Sequence, residues 1–93
     1  MELDLKRLMS ELRRGLSDLY GARLRGLYLF GSHARQAADA ESDVDVLIVL
    51  DRIERYGAEV DRTGDFASRL SLKYGVTVSR VFAAEPDCNL VIL

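Results

Sequence analysis

Leu29-Phe30-Gly31-Ser32-His33-Ala34-Arg35, then seven residues, then Asp43-Val44-Asp45-Val46-Leu47-Ile48-Val49-Leu50: two apolar runs separated by a glycine turn and a polar loop. Leu24 to Phe30 is rich in leucine and aromatics and stops at Gly31, which predicts a strand ending in a turn. Ser32 suits the N-cap of a short helix over His33 to Ala38, residues of good helical propensity. Asp39 to Ser42 reads as a loop. Val44 to Leu50 is β-branched and almost unbroken in apolar character, the pattern of a strand buried within a sheet.

Outward from this unit the chain alternates helix and strand. Leu5, Leu8, Leu12, Leu16 and Leu19 recur at steps of three and four with charged residues between them, which predicts an amphipathic helix stopped by Gly21. Val60, Thr63, Ala67, Leu70 and Tyr74 form the inner stripe of a second long helix, weakened at Gly64 and ended by Gly75. Val76 to Ala83 is a third strand, and Pro86 with Asp87 marks a turn before the apolar tail Leu90 to Leu93. That tail reads as an edge strand, a helix remnant or a patch for a partner. Each element must bury its apolar side on another, so the fold class is α/β (α+β), a small mixed β-sheet with helices packed on one face.

Composition sets the bounds. Ninety-three residues predict a single domain over residues 1–93. An apolar share of 48% against 30% charged residues is that of a folded chain, not a disordered one. No apolar run approaches the roughly 20 residues of a membrane span, and Glu2, Asp4 and Lys6 charge the N-terminus, which predicts a soluble cytoplasmic protein with no membrane partner. A net charge of -2 supplies no general field for a polyanion, so nucleic acid is not expected as a direct ligand. The single cysteine, Cys88, forms no internal disulfide.

The chemistry resides in the opening stretch. Side chains alternate along a strand, so Asp43 and Asp45 project to one face. Two carboxylates about 6 Å apart repel by about 3 kcal/mol at an effective dielectric of about 20, which a divalent cation would offset. Oxygen donors without histidine or cysteine favour Mg²⁺, with Mn²⁺ as the alternative, and Mg²⁺ points to phosphates. Gly31 lets a phosphate approach the backbone, and Ser32 adds a hydroxyl to the free N–H groups of the turn. Metal on one side and amides on the other would cradle a triphosphate. Arg35 is placed either to pair with an acid or to touch phosphate.

Gly31-Ser32-His33-Ala34-Arg35 followed by Asp43-Val44-Asp45-Val46 resembles the signature of minimal nucleotidyltransferases of the DNA polymerase β-like superfamily. That pattern is Gly-Ser-x-Ala-Arg-Gly, a short loop, and Ser-Asp-x-Asp-hydrophobic. The resemblance implies a mixed-sheet palm with Mg²⁺ on Asp43 and Asp45 and the triphosphate of an NTP, ATP above all, near Gly31, Ser32 and Arg35. It implies transfer of a nucleotide, AMP, to an acceptor hydroxyl on a protein. Many free-standing members of this superfamily are antitoxins paired with a HEPN-type toxin, so the resemblance also implies a protein partner of that kind, with a homodimer as a further possibility.

The sequence departs from the pattern at two places. Gln36 stands where the family has glycine. The later strand that carries a third carboxylate in active members here reads Val76-Thr77-Val78-Ser79-Arg80-Val81, with Thr77 or Ser79 in the acid's place and Asp51 and Glu85 at strand ends. The departure keeps open the alternative of a catalytically silent nucleotide-binding pseudoenzyme that neutralises a partner toxin by binding alone.

Overall fold

The computed structural model describes residues 3–34 and 43–85. The elements run α1 (Leu5–Tyr20), a 3₁₀ turn (Gly21–Arg23), β1 (Leu24–Phe30), α2 (Gly31–Ala34), β2 (Val44–Leu50), α3 (Tyr56–Tyr74) and β3 (Val78–Ala84). The strands form one three-stranded sheet in the order β1-β2-β3, with β1 antiparallel to β2 and β2 parallel to β3. A parallel pair needs a crossover, and α3 supplies it. The mixed α/β architecture with helices on one sheet face is the one the alternation of periods predicts.

Capping explains where the helices begin and end. The Asp4 carboxylate accepts a hydrogen bond from the Arg7 N–H at 3.1 Å, occupying one of the donors a helix start leaves unpaired. α1 buries Leu8, Leu12, Leu16 and Tyr20, a strict four-residue row. Leu19, expected in the stripe, is 43% exposed; Tyr20 takes the inner position because its Oη reaches across to donate to Glu59 Oε1 at 2.8 Å. α3 runs through Gly64 without a break and stops at Gly75, whose left-handed backbone (φ 66°, ψ 33°) sends its N–H to the Ser71 carbonyl. The Val76 N–H also donates to that carbonyl and the Thr77 carbonyl accepts from the Val44 N–H. β3 therefore opens at Val78, two residues later than the periodicity suggests, because Val76 is still engaged in closing the helix.

The turn after β1 is tighter than expected. α2 starts at Gly31, so Ser32 lies inside the first turn and not at the N-cap. The rest of the expected helix, with Arg35 and Gln36, lies outside the described residues, as do Cys88 and the apolar tail.

The covered face of the sheet carries Val44, Val46, Ile48 and Leu50 from β2 with Val78 and Phe82 from β3, and these pack with the α1 row and Leu70 of α3 into one core. Arg80 shares this face beside Val46, and its Nε is buried with no hydrogen-bond partner. At the C-terminal end of β2 the buried Glu59 gathers Tyr20, Arg23 and Arg62, while Arg23 also binds Asp51 at 3.2 Å. Arg23 thus ties the helix layer to the end of the sheet.

Candidate functional site

The opposite face of the sheet is organised in rows across the three strands. The first is Phe30–Asp45–Ser79, the next Tyr28–Leu47–Val81 and the third Gly26–Val49–Ala83. Paired residues in a sheet project to the same side, so Asp45 stands at the centre of the first row with an aromatic ring on one flank and a hydroxyl on the other. Asp45 is half-buried; Asp43, one residue before β2, is exposed. The bond from the Val44 N–H to the Thr77 carbonyl carries the β2–β3 pairing down to the level of Asp43. Strand alternation then sets Asp43 on the Asp45 side of the sheet.

Gly31 closes this end. Its backbone has φ 75°, and a Cβ built there would lie 2.3 Å from Asp45 Oδ2 and 3.2 Å from its Cγ. A side chain here would have to displace the Asp45 carboxylate, and the left-handed backbone by itself favours glycine. The Gly31 backbone thus lies directly against the Asp45 carboxylate, which brings the turn where the sequence places a phosphate beside the acid of β2. Among the described residues neither Asp43 nor Asp45 has a hydrogen bond or ion pair.

This donor set suits a hard divalent cation: two carboxylates, with a glycine turn beside them. No group of three or more His, Cys, Asp or Glu side chains able to hold a metal occurs among the described residues. Ser79 is the residue in register with Asp45, and Thr77 lies one step outside β3. Asp51 and Glu85 are at the other end of the sheet, bound to Arg23 and Arg25 respectively, so neither approaches Asp45. The Arg23 guanidinium and the Arg52 N–H outweigh the upward push of burial and hold the Asp51 carboxyl below its ordinary value. A cavity of about 320 Å³ also lies at that end, lined by Arg23, Arg52, Arg55, Arg62, Glu54 and Glu59. Three of its four arginines are engaged by Asp51, Glu54 and Glu59, which makes it an ion-pair lattice and not a second catalytic cleft.

Sequence reasoning named Gly31, Asp43, Asp45 and Ser79. What it missed is the close approach of Gly31 to Asp45 and the exposure of Tyr28 and Phe30 on the same face, 55% and 40% respectively. The strand register carries both, whereas the sequence alone reads Tyr28 and Phe30 as either core or sheet-face residues.

A small mixed sheet backed by helices, with paired aspartates at the start of its central strand and a glycine turn against them, has the polymerase β-like nucleotidyltransferase architecture. The chain belongs to the nucleotidyltransferase domain family, whose pattern matches residues 9–87. It is similar to two proteins of Methanocaldococcus jannaschii, each named "putative protein adenylyltransferase". One is 34% identical over 84 residues, covering 90% of this chain and 78% of the relative. The other is 34% identical over 79 residues, covering 85% and 79%. No solved structure matches the chain. Among the described residues no helix is long and apolar enough to cross a membrane.

Proposed function

We propose that this domain transfers AMP from ATP to a hydroxyl group on a protein, with Asp43 and Asp45 holding Mg²⁺ and the Gly31-Ser32 turn receiving the phosphates. The observation that supports this reading is the close approach of Gly31 to Asp45 Oδ2, which sets the glycine turn directly beside the carboxylate. The names of the two relatives supply the acceptor class. Bound there, the cation supplies charge neutralisation for the triphosphate and its leaving group. The protein's part is positional: Asp43 and Asp45 fix the cation, and the turn backbone holds phosphate oxygens so that the acceptor oxygen meets the α-phosphorus in line. A bond forms from the acceptor oxygen to the α-phosphorus, the bond to the β-phosphate oxygen breaks, and pyrophosphate leaves. The acceptor's proton goes to solvent or to a base brought by the acceptor, because the hydroxyl of Ser79 is no base at neutral pH.

Ser79 opposite Asp45 favours a second reading, in which the domain binds nucleotide and silences a partner toxin by contact alone. One comparison separates the two. The chain is incubated with α-labelled ATP, Mg²⁺ and the HEPN-type toxin that the resemblance implies, beside Asp43→Asn and Asp45→Asn. Label on the toxin from the unaltered chain, falling at least about a hundredfold in both variants, supports transfer. Silencing that persists in both variants with no label moved supports the binding reading.

A further inference from the structure

We infer that Tyr28, with Phe30 and Leu47, forms the platform on which the base of the nucleotide lies, an inference that rests on the metal and phosphate site proposed at Asp43, Asp45 and Gly31. On the sheet face that carries Asp45, Val49 is buried, whereas Tyr28, Phe30 and Val81 are exposed. Phe30 is paired with Asp45 and immediately precedes Gly31, and Tyr28 is paired with Leu47 in the next row, about 7 Å further along β1. Both rings remain accessible, and neither makes a ring contact or hydrogen bond among the described residues.

The posture of Tyr28 is built into the strand. A Cβ placed at Gly26, the next residue on this face, would lie 2.7 Å from Tyr28 Cε2 and 3.0 Å from its Oη. Gly26 therefore vacates the space into which the Tyr28 ring reclines along the sheet. An exposed tyrosine standing upright offers an edge; one lying down offers a face. A flat, exposed π-face continuous with a phosphate site matches one chemical class, a planar heteroaromatic base joined to phosphate, since base–aromatic stacking tolerates any base and excludes water from both planes. With the phosphates at Gly31, a nucleoside that runs along β1 away from the turn crosses Phe30 and reaches Tyr28. An acceptor peptide or a second copy of the chain would cover the same face by apolar contact, with no need for phosphate next to it.

Calorimetric titrations with Mg²⁺ compare ATP with tripolyphosphate, which carries the phosphates and no base. The unaltered chain should bind ATP at least about tenfold more tightly than tripolyphosphate. Tyr28→Ala should lower ATP affinity about tenfold and leave tripolyphosphate affinity unchanged, Phe30→Ala should act in the same direction, and Tyr28→Phe should keep the ATP value. Thermal melts by circular dichroism verify that the variants are folded. Equal affinity for the two ligands, or a loss shared equally by both, overturns the platform while leaving the phosphate site standing. Failure of both ligands to bind, with Asp45→Asn also without effect, overturns the site and the platform together. A dimer in sedimentation that Tyr28→Ala dissociates, with ATP affinity unchanged, assigns the face to a second copy and overturns the inference.

Discussion

Gly31 is the position where backbone, packing and chemistry make the same demand. Its φ of 75° lies in the left-handed region, which costs a residue with a Cβ about 1–2 kcal/mol, and the Cβ would also drive into Asp45 Oδ2. Gly31→Ala is therefore expected to destabilise the domain by at least about 1 kcal/mol, read as a lower denaturation midpoint in urea at unchanged slope. It should also turn the Asp45 carboxylate out of the gap and weaken Mg²⁺-dependent ATP binding. Gly21 also has positive φ but open space around it, so Gly21→Ala should cost stability and leave nucleotide binding intact. Equal effects of the two substitutions on binding would show that the Gly31 gap has no special relation to the ligand.

At the scale of the element, β3 determines what kind of site Asp45 belongs to. Its parallel register puts Ser79 in the place beside Asp45, and the parallel direction sends Asp51 and Glu85 together to the remote end. Ser79→Asp should therefore create a third carboxylate on the same face and, with it, mutual repulsion. The expected result is a melting temperature lower than that of the unaltered chain in chelator, recovered on adding Mg²⁺, with faster label transfer to the acceptor. A variant that melts identically with and without Mg²⁺ would show that position 79 does not face the cation. The bounds of β1 and β2 were legible in the sequence because Gly31 ends one apolar run and Asp43 opens the next. The start of β3 was not, because Val76 has strand character and is held by the Ser71 carbonyl at the end of α3, a contact that only the folded helix end creates. The same holds within the site: Asp43 and Asp45 are visible as a spacing, whereas the narrow gap at Gly31 and the reclining Tyr28 exist only once β1 and β2 are in register. Leu19 and Tyr20 illustrate the limit for helices, where a leucine at acceptable spacing loses the inner position to a tyrosine that has a buried partner in Glu59.

Across the whole molecule, a sheet of three strands relies on its helix layer, and charged groups fasten that layer at both ends. At one end Tyr20, Arg23, Glu59 and Asp51 join α1, the 3₁₀ turn, α3 and the end of β2. At the other, Glu11 of α1 accepts hydrogen bonds from Lys73 and Tyr74 of α3. The Lys73 bond first and the Tyr74 bond second hold the Glu11 carboxyl below its ordinary value, and Asp51 is also held low. A carboxyl whose value is depressed in the folded state contributes stability above its unfolded pKa of about 4, and that contribution disappears as the pH falls through the lower folded value. The melting temperature should therefore hold between about pH 7 and pH 5 and fall in more acid solution. Glu11→Gln removes one of these contributions, so the variant should melt below the unaltered chain at pH 7, and the two should draw together as the pH falls through the lowered value of Glu11 in the folded state. Melting curves that stay separated by the same interval across the whole range would show that Glu11 acts through its shape and not its charge. Salt refines the test, since Lys73 and Glu11 are both partly exposed: raising ionic strength should narrow the separation at pH 7.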